Sequence, residues 1–288
     1  MKKIVIAGCG YIGSRVARLW RVRGAKVTCL VRSPDTCLAL TGEGFAACTV
    51  SFDDLSVVNL PDMTGDILYY LVPPPGGGIT DTRARNFIEA LKNGPAPSMI
   101  IYMSATSVYS ETGGEVVTEE STTEPQSAMG KRRLDAERAL QDYGRKSGVL
   151  VVILRVSGIY GPGRLPLMQI SKGHPLLREE ESGPSNRIHA DDLAAVCLAA
   201  ADRGKDGDIY NVSDGHPSSI TSYFNACADL LGYPRQPQVS MSEARQVMSP
   251  LMLSYVSESR VIDNSRMLQR LDIRLKYPTM SAGLPGCK

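Results

Sequence analysis

The chain has little of what marks nucleic-acid-binding or membrane proteins. Its 288 residues carry a formal net charge of only +2, so the overall electrostatics give no reason to expect a nucleic-acid partner. The first apolar run ends at Gly8 and is too short to cross a bilayer. We therefore expect no nucleic-acid or membrane partner and a cytoplasmic location.

Cysteine and histidine are too scattered for a disulfide framework or a zinc site. The seven cysteines include no C-x-x-C pair, their number is odd, and the chain has only three histidines. This pattern predicts no bound metal, and it predicts that most of the cysteines are small buried side chains. His189 has no nucleophile beside it in the sequence, so we expect it to have a structural role.

The feature that is present is a glycine-rich turn near the start of the chain. A predicted buried strand leads into Gly8, Gly10 and Gly13, and an amphipathic helix follows. The first glycine permits a tight turn, the second lets a ligand approach the backbone, and the third lets the helix pack on the strand. With Tyr11 and Ile12 opening the helix, the pattern predicts a binding site for the pyrophosphate of a nicotinamide dinucleotide.

The end of the second predicted strand, 26–31, favours NADP(H) over NAD(H). At this place, about 20 residues after the glycines, an acidic residue would hold the ribose hydroxyls of NAD. The chain instead has Arg32 and Ser33, which suit a 2′-phosphate because arginine binds phosphate through a charged fork. In the alternative interpretation Arg32 stacks on the adenine or faces solvent. Asp53, in a later loop, is either an adenine contact or simply solvated.

Another apolar strand, 66–72, should border the same site. It is apolar on both faces, which is typical of parallel sheets covered by helices on both sides. Because ligands bind beyond the carboxyl ends of such strands, Leu71 and Val72 are expected to line the dinucleotide crevice. The chain as a whole predicts an α/β fold with a doubly wound parallel sheet. For the tail segment 259–268 we predict a helix.

Several motifs occur in an order that resembles a known family. They are the glycine motif and the segments 104–109 (SATSVY), 154–164 (LRVSGIYGPGR), 186–193 (NRIHADDL) and 209–214 (IYNVSD). Together they resemble the extended short-chain dehydrogenase/reductases, the NAD-dependent epimerase/dehydratase family, over about residues 1–235. The resemblance implies an NAD(P)-binding Rossmann domain at 1–160 with a returning segment at 186–215. It implies a small α/β substrate-binding part formed by 161–185 and 216–288.

The resemblance also implies a catalytic Ser/Thr, Tyr and Lys, and the chain lacks all three. Ala105 stands four residues before Tyr109, where the family has its hydroxyl residue, and Met129 and Arg133 occupy the Tyr and Lys positions. Methionine has no proton to transfer, whereas an arginine can still hold ribose hydroxyls. The chain is therefore similar to the atypical short-chain dehydrogenase/reductases.

The sequence does not identify the residue that would donate a proton in a reaction. Ser104, Thr106, Tyr109 and Arg133 are weak catalytic candidates, and for each hydroxyl the alternative is a structural hydrogen bond at a strand end. Ser104 and Arg133 are also candidates for holding the cofactor. By resemblance, Ser157 belongs to the loop on the nicotinamide side of the site.

Arg164 and Arg187 are the candidates for binding the substrate, and capping the cleft entrance is the alternative role of Arg164. The predicted function is that of an NADP(H)-dependent oxidoreductase or epimerase acting on a small molecule, with nucleotide sugars among the candidates. The alternative is a non-catalytic dinucleotide-binding sensor or scaffold. The resemblance further implies a homodimer formed through the helices near 81–92 and 129–146.

Overall fold

Strands and helices alternate along the chain. The computed structural model describes residues 1–58, 60–92, 94, 96–111, 113–249, 252, 253, 256 and 259–288. The strands are β1 (Lys3–Ala7), β2 (Lys26–Val31), β3 (Ala46–Thr49), β4 (Ile67–Tyr70), β5 (Met99–Ala105), β6 (Gly113–Val117), β7 (Leu150–Val156), β8 (Gly158–Tyr160), β9 (Leu176–Leu177), β10 (Pro184–Ser185), β11 (Arg187–His189), β12 (Ile209–Val212), β13 (Ser218–Ser219), β14 (Gln238–Val239) and β15 (Ser259–Ile262). The α-helices are α1 (Tyr11–Val22), α2 (Pro34–Gly42), α3 (Thr82–Lys92), α4 (Ala128–Ser147), α5 (Leu167–Ser171), α6 (Ala190–Arg203), α7 (Ile220–Leu231), α8 (Met241–Val247), α9 (Ser265–Arg270) and α10 (Met280–Gly283).

The central sheet has seven strands in the order β12-β7-β5-β4-β1-β2-β3, and neighbouring strands are all parallel. The chain runs from β1 to β2 and β3 on one side and then crosses to β4 on the other. In open parallel sheets this reversal leaves a crevice at the carboxyl ends of the strands, where ligands bind. The predicted doubly wound parallel sheet is confirmed.

Alternate residues of β1 fill two apolar layers, one on each face of the sheet. Ile4 and Ile6 pack in the layer that contains the buried residues of α1 and α6. Val5 and Ala7 point into the opposite layer, with the buried residues of α3 and α4. A strand covered on both faces needs apolar residues at every position, which explains its unbroken apolar sequence.

A separate apolar cluster lies outside the two layers of the sheet. It includes Tyr160, Leu176 and Phe224 and reaches the chain end at Cys287. Most of its residues come from the segments 161–185 and 216–288, which the family resemblance assigns to the substrate-binding part. The exact division of the chain into two parts stays a prediction.

The prediction of one helix over 259–268 was wrong in its first half. Residues of β15 pair in parallel with β6, and α9 begins only at Ser265. Arg260 and Ile262, on the same face of β15, are both buried, and the guanidinium of Arg260 donates to the carbonyls of Glu111 and Thr106. These long-range contacts override the local helical pattern. In the described part of the chain, no helix combines the length and apolarity needed to cross a membrane.

Candidate dinucleotide and substrate site

The glycine-rich turn joins β1 to α1 in a conformation that has no room for side chains. Gly8 has a φ of +85°, and a Cβ there would lie 2.9 Å from the carbonyl carbon of Leu71 and from the amide nitrogen of Val72. A Cβ on Gly13 would lie 2.9 Å from the carbonyl oxygen of Gly8. The turn therefore packs its backbone directly against the end of β4 and against α1.

Gly10 differs from these two glycines because it faces open space. Apart from its chain neighbours, no described heavy atom lies within 4 Å of a Cβ placed on Gly10. Gly10 is the N-cap of α1 and gives the helix no side-chain hydrogen bond, so the first amides, those of Tyr11 and Ile12, have no capping side chain. Free N–H groups, the positive end of a helix and close backbone access suit a pyrophosphate.

A cavity of about 290 Å³ continues from the turn along the ends of β2 and β4. Gly8, Gly10, Ser33 and Val72 are among its lining residues. Leu71 instead packs against the apolar layer behind the cavity, and its amide donates to the carbonyl of Ala7. Of the two residues predicted at the end of this strand, Val72 thus faces the cavity.

Charged side chains gather at the outer end of this cavity. The Arg32 side chain is 70% exposed, and its Nη1 lies 3.8 Å from Oδ2 of Asp53. Nε of Arg83 donates to Oδ1 of Asp53 at 2.5 Å, and this hydrogen bond lowers the pKa of the Asp53 carboxyl. Ser33 is the N-cap of α2, with its Oγ accepting from the amide of Thr36 at 3.5 Å. Arg83 was missed by sequence reasoning, because no spacing from the glycines marks it.

A second cavity, of about 710 Å³, lies beside the segment that follows β7. Arg164 and Arg187, the two predicted substrate arginines, both line it. His174 and Tyr223, which no sequence pattern singled out, line it as well. No Asp or Glu is among the described lining residues, so we expect the cavity to favour an anionic ligand.

Tyr11 connects the glycine-rich turn to this basic cavity. Its hydroxyl donates to the carbonyl of Pro162 at 3.0 Å. The guanidinium of Arg164 lies 5.2 Å from the centroid of the Tyr11 ring, and that of Arg15 lies 4.0 Å from it. The residue directly after Gly10 therefore also holds the turn that carries Arg164.

A buried network occupies two of the three hydroxyls that were candidates for proton transfer. Oγ of Ser104 donates to Glu137 at 2.5 Å, and the guanidinium of Arg155 donates to both oxygens of the same carboxylate, at 3.2 and 2.9 Å. The hydroxyl of Tyr109 donates to Asn211 at 2.6 Å, and burial raises the pKa of Tyr109 to about 12. These hydrogen bonds connect β5, β7, β12 and α4.

The other hydroxyl candidates lie at the ends of β5 and β7. Thr106 is half-buried and directly follows β5, and its carbonyl accepts from Arg260 at 2.5 Å. Ser157 directly follows β7, and its amide donates to the carbonyl of Val212 at 3.0 Å. The Ser157 hydroxyl is buried and has no hydrogen-bond partner among the described residues. An unsatisfied buried hydroxyl at a strand's carboxyl end is a signal for a missing ligand.

His189 lies close to these cavities but is part of the fold. It is the N-cap of α6, with its Nδ1 accepting from the amide of Asp191 at 3.2 Å. Burial lowers the pKa of His189, so it is neutral at neutral pH. Its hydrogen bond supports the expected structural role. Among the described residues, no group of three or more His, Cys, Asp or Glu side chains is placed to hold a metal ion.

Comparison with known proteins shows which family the middle of the chain resembles. Residues 82–213, which contain β5 and the segment around Ser157, match the NAD dependent epimerase/dehydratase family. The chain is similar to that family over this segment. Protein YeeZ of Escherichia coli K12 is 27% identical over 288 residues, which cover 96% of this chain and 97% of YeeZ.

Solved structures of similar proteins extend the likeness over the whole chain. A functionally unknown conserved protein from Silicibacter pomeroyi has a TM-score of 0.84 and 27% identity, covering 100% of this chain and 98% of that chain. The UDP-glucuronic acid 4-epimerase of Bacillus cereus, in complex with NAD, has a TM-score of 0.73 and 20% identity, covering 99% of this chain and 96% of its own. At that identity the epimerase shares the fold.

The three positions that the sequence resemblance assigns to catalytic side chains lie near the end of β5. Ala105 ends this strand, and Met129, at the start of α4, is 48% exposed. Arg133 follows one turn later, where its Nη1 donates to the carbonyl of Met103 at 2.9 Å and to the hydroxyl of Tyr102 at 3.4 Å. Arg133 is thus fixed at the end of β5. The assignment of these positions to a lost catalytic triad stays a prediction.

Proposed function

We propose that the protein is an NADP(H)-dependent oxidoreductase or epimerase whose substrate is an anionic small molecule of the nucleotide-sugar type. The position of Tyr11 carries the proposal, because this residue opens the helix behind Gly10 and also holds the turn that bears Arg164. A dinucleotide on the glycine turn and an anion in the basic cavity would meet at this side chain. A second structure of the Bacillus cereus UDP-glucuronic acid 4-epimerase, in complex with UDP-glucuronic acid and NAD, supports this pairing of ligands.

A bound nicotinamide dinucleotide supplies reversible hydride transfer. Gly8 and Gly13 keep the backbone of the turn compact, and Gly10 leaves room for the pyrophosphate. The amides of Tyr11 and Ile12 donate hydrogen bonds to it from the positive end of α1. Together with Val72, which lines the cavity, these backbone groups would hold the pyrophosphate without a charged side chain.

The preference for NADP(H) rests on Arg32 and Ser33. The exposed guanidinium of Arg32 can turn from Asp53, only 3.8 Å away, toward a 2′-phosphate at the cavity rim. Ser33 accepts a hydrogen bond as N-cap, which leaves its hydroxyl proton to donate. An anion here also benefits from the N-terminus of α2.

At the nicotinamide end, Arg133 and Ser157 are the side chains we assign to binding. Arg133 holds the ribose hydroxyls from the end of β5, and the unsatisfied hydroxyl of Ser157 binds the nicotinamide group. Ser104 supports this end through its hydrogen bond to Glu137. Met129 cannot move a proton, so the hydroxyl of Thr106 is the candidate left for that task.

The alternative is a sensor or scaffold that binds the dinucleotide without turnover. It is favoured by the buried network, which occupies the hydroxyls of Ser104 and Tyr109. Because the pKa of Tyr109 is raised to about 12, this phenol is poorly suited to proton transfer near neutral pH.

We further propose that the substrate lies between the Rossmann domain and the smaller part, and that the protein works in the cytoplasm as a homodimer. A groove of about 760 Å³ between α3 and α4 combines Ile88, Leu91 and Tyr143 with charged residues of both signs, which suits a second copy of this surface. Sedimentation equilibrium tests the dimer, and a monomer at micromolar concentration contradicts it.

The first experiment titrates NADPH and NADH into cofactor-stripped protein by calorimetry and then follows NADPH oxidation against a panel of carbonyl compounds and keto sugar nucleotides. Tight NADPH binding with oxidation establishes a reductase. Tight binding without turnover of any ligand, including epimerisation of sugar nucleotides followed by NMR, favours the sensor. Absence of dinucleotide binding contradicts both functions.

Arg32→Asp tests the choice of cofactor. It places a carboxylate at the cavity rim, so we expect it to weaken NADPH binding more than tenfold and to spare NADH, because a charge-assisted pair is lost and a repulsion gained. Arg245→Asp makes the same charge change on α8, outside the cavity, and serves as the matched control. An unchanged NADPH preference in Arg32→Asp removes the argument for NADP.

A further inference from the structure

Asp81 is a fully buried carboxylate directly before α3. Its exposed fraction is 0%, and its Oδ1 accepts from the amide of Ala84 at 3.0 Å, as a capping side chain does. Its Oδ2 has no hydrogen-bond partner among the described residues. Burying a carboxylate costs free energy unless a positive charge lies near it, whereas an asparagine would cap the helix without that cost. The choice of an aspartate here therefore calls for a nearby cation.

A hydrogen bond holds the backbone of Asp81 against α4. Its amide donates to Oδ2 of Asp135 at 3.0 Å, and Asp135 lies two residues after Arg133 on that helix. Burial raises the pKa of the Asp81 carboxyl, and the charge of Arg133 opposes this shift more strongly than that of Arg83. Arg83 is already paired with Asp53 at 2.5 Å. Arg133 is thus the cation that remains for Asp81.

The described hydrogen bonds of Arg133 go to neutral acceptors, the carbonyl of Met103 and the hydroxyl of Tyr102. Its Nε is buried and has no hydrogen-bond partner among the described residues. Tyr70 is fully buried beside Tyr102, and the centroids of the two rings lie 5.9 Å apart. In such a dry setting charges are weakly screened, so the attraction between Asp81 and Arg133 acts beyond contact distance.

We propose that Asp81 is a positioning residue: its buried carboxylate is the counter-charge that keeps the guanidinium of Arg133 at the end of β5, within reach of the nicotinamide ribose. This inference rests on the proposed function, which assigns Arg133 to the ribose hydroxyls. A guanidinium that is already held in place loses little freedom when it binds a ligand. Without the charge of Asp81, Arg133 turns toward solvent and the nicotinamide end is bound less firmly.

The test compares NADPH with 2′,5′-ADP, which carries the adenosine end of the cofactor and lacks the nicotinamide ribose. Calorimetry measures both affinities for the wild type, Asp81→Asn and Arg133→Met. We expect Asp81→Asn to weaken NADPH binding about three- to tenfold and to spare 2′,5′-ADP, because only NADPH reaches Arg133. Asparagine accepts the same hydrogen bond from the Ala84 amide, so the thermal midpoint should not fall. Asp142→Asn makes the same charge change at an exposed position of α4 and is the matched control.

A double-mutant cycle shows whether Asp81 acts through Arg133. In the Arg133→Met background, Asp81→Asn should cause no further loss of NADPH affinity. The fluorescence lifetime of bound NADPH is a second readout, because it reports on the freedom of the nicotinamide ring. We expect this lifetime to shorten in both single variants and to stay unchanged in Asp142→Asn. A purely structural role of Asp81 would not change the lifetime at saturating NADPH.

The outcomes separate this inference from the proposed function. If Arg133→Met weakens NADPH binding and Asp81→Asn does not, the inference is overturned and the proposed function stands. Additive losses in the double variant, or an equal loss for NADPH and 2′,5′-ADP, also overturn it. If the wild type does not bind NADPH, or if Arg133→Met binds it normally, the assignment of the nicotinamide end fails together with the inference.

Discussion

The glycine-rich turn and the start of α4 lie at opposite ends of the proposed dinucleotide site and are built differently. At the turn, ligand binding depends on backbone: Gly8 leaves no room for a side chain, and Gly10 leaves room for a ligand. At α4, binding depends on side chains, and Met129 and Arg133 present neither a phenol nor a lysine. The backbone geometry of the turn is fixed by its packing against β4 and α1, whereas the exposed side chain of Met129 is not needed for the packing of the sheet.

The buried network lies at the same end of the proposed site as the start of α4. Ser104, Arg155 and Glu137 lie within a few residues of the proposed reaction site, and all three are at least nine-tenths buried. Their hydrogen bonds join strands of the sheet to α4. We therefore interpret this group as structural, in contrast to the open space at Gly10.

The largest effect should come from Arg155→Met. It leaves the carboxylate of Glu137 buried without its charged partner, which costs about 3–5 kcal/mol of unfolding free energy. Ser104→Ala removes a single hydrogen bond to the same carboxylate and should cost about 1–3 kcal/mol. Urea unfolding measures both. The control is Arg145→Met, which removes an exposed pair with Asp142 and should change the free energy by less than about 1 kcal/mol. A loss from Arg155→Met as small as that of the control contradicts the structural interpretation.

The next prediction compares the effects of two glycine variants of the turn on dinucleotide affinity and on stability. Gly10→Ala places a methyl group where the protein has no contact, so we expect normal stability and a loss of dinucleotide affinity of about 100-fold. Gly8→Ala should lower both affinity and stability, because the residue has positive φ and its Cβ would strike the backbone at Leu71 and Val72. Calorimetric titration and urea unfolding on the same samples compare the two. Equal destabilisation by both variants would contradict the distinction between the two glycines.

This contrast also explains which parts of the molecule could be predicted from sequence. The sheet and the turn follow from local patterns, since apolar runs, glycine spacing and helix starts are visible over short windows. The start of α1 at Tyr11 and the whole of β2, 26–31, agree with the structure. Local rules were sufficient where the backbone determines the geometry.

Long-range pairing accounts for what the sequence did not reveal. The strand β15 depends on β6, more than a hundred residues earlier, and the role of Ser104 depends on Glu137 in a different helix. Arg83 reaches the adenosine end of the site only through the placement of α3. The guanidinium of Arg187 occupies space that Gly158 leaves empty, and no sequence spacing rule predicts this contact.

A smaller effect is expected at Asp214, near the buried arginine of the cavity. Burial raises the pKa of the Asp214 carboxyl to about 6, above its value in the unfolded chain. The folded state therefore binds the proton more tightly, so this group's contribution to stability is present below about pH 4 and is lost as the pH rises through 6.

Asp214→Asn removes this titration while keeping an oxygen that can accept from the amide of His216. Relative to the wild type, the variant should gain on the order of 2 kcal/mol of unfolding free energy between pH 4 and pH 8. Urea unfolding at both pH values measures the change. Asp142→Asn, at an exposed position on α4, is the control. A difference between variant and wild type that does not depend on pH contradicts the assignment.

The last prediction concerns a double variant that places the tyrosine and lysine of the family at the start of α4. Met129→Tyr combined with Arg133→Lys places a phenol and an ammonium four residues apart on one helix face, where the charge lowers the phenol's pKa. If only these side chains have diverged, the double variant gains measurable turnover of a sugar nucleotide, and Met129→Phe with Arg133→Lys does not. Exposure of Met129 favours tolerance of the new ring, but Arg133 also contacts the carbonyl of Met103, which a lysine reaches less well.

A folded double variant that binds NADPH and stays inactive would show that the loss extends beyond the pair, to Ala105 and to hydroxyls already engaged in the network. The start of α4 would then differ from the glycine turn in its packing as well as in its side chains.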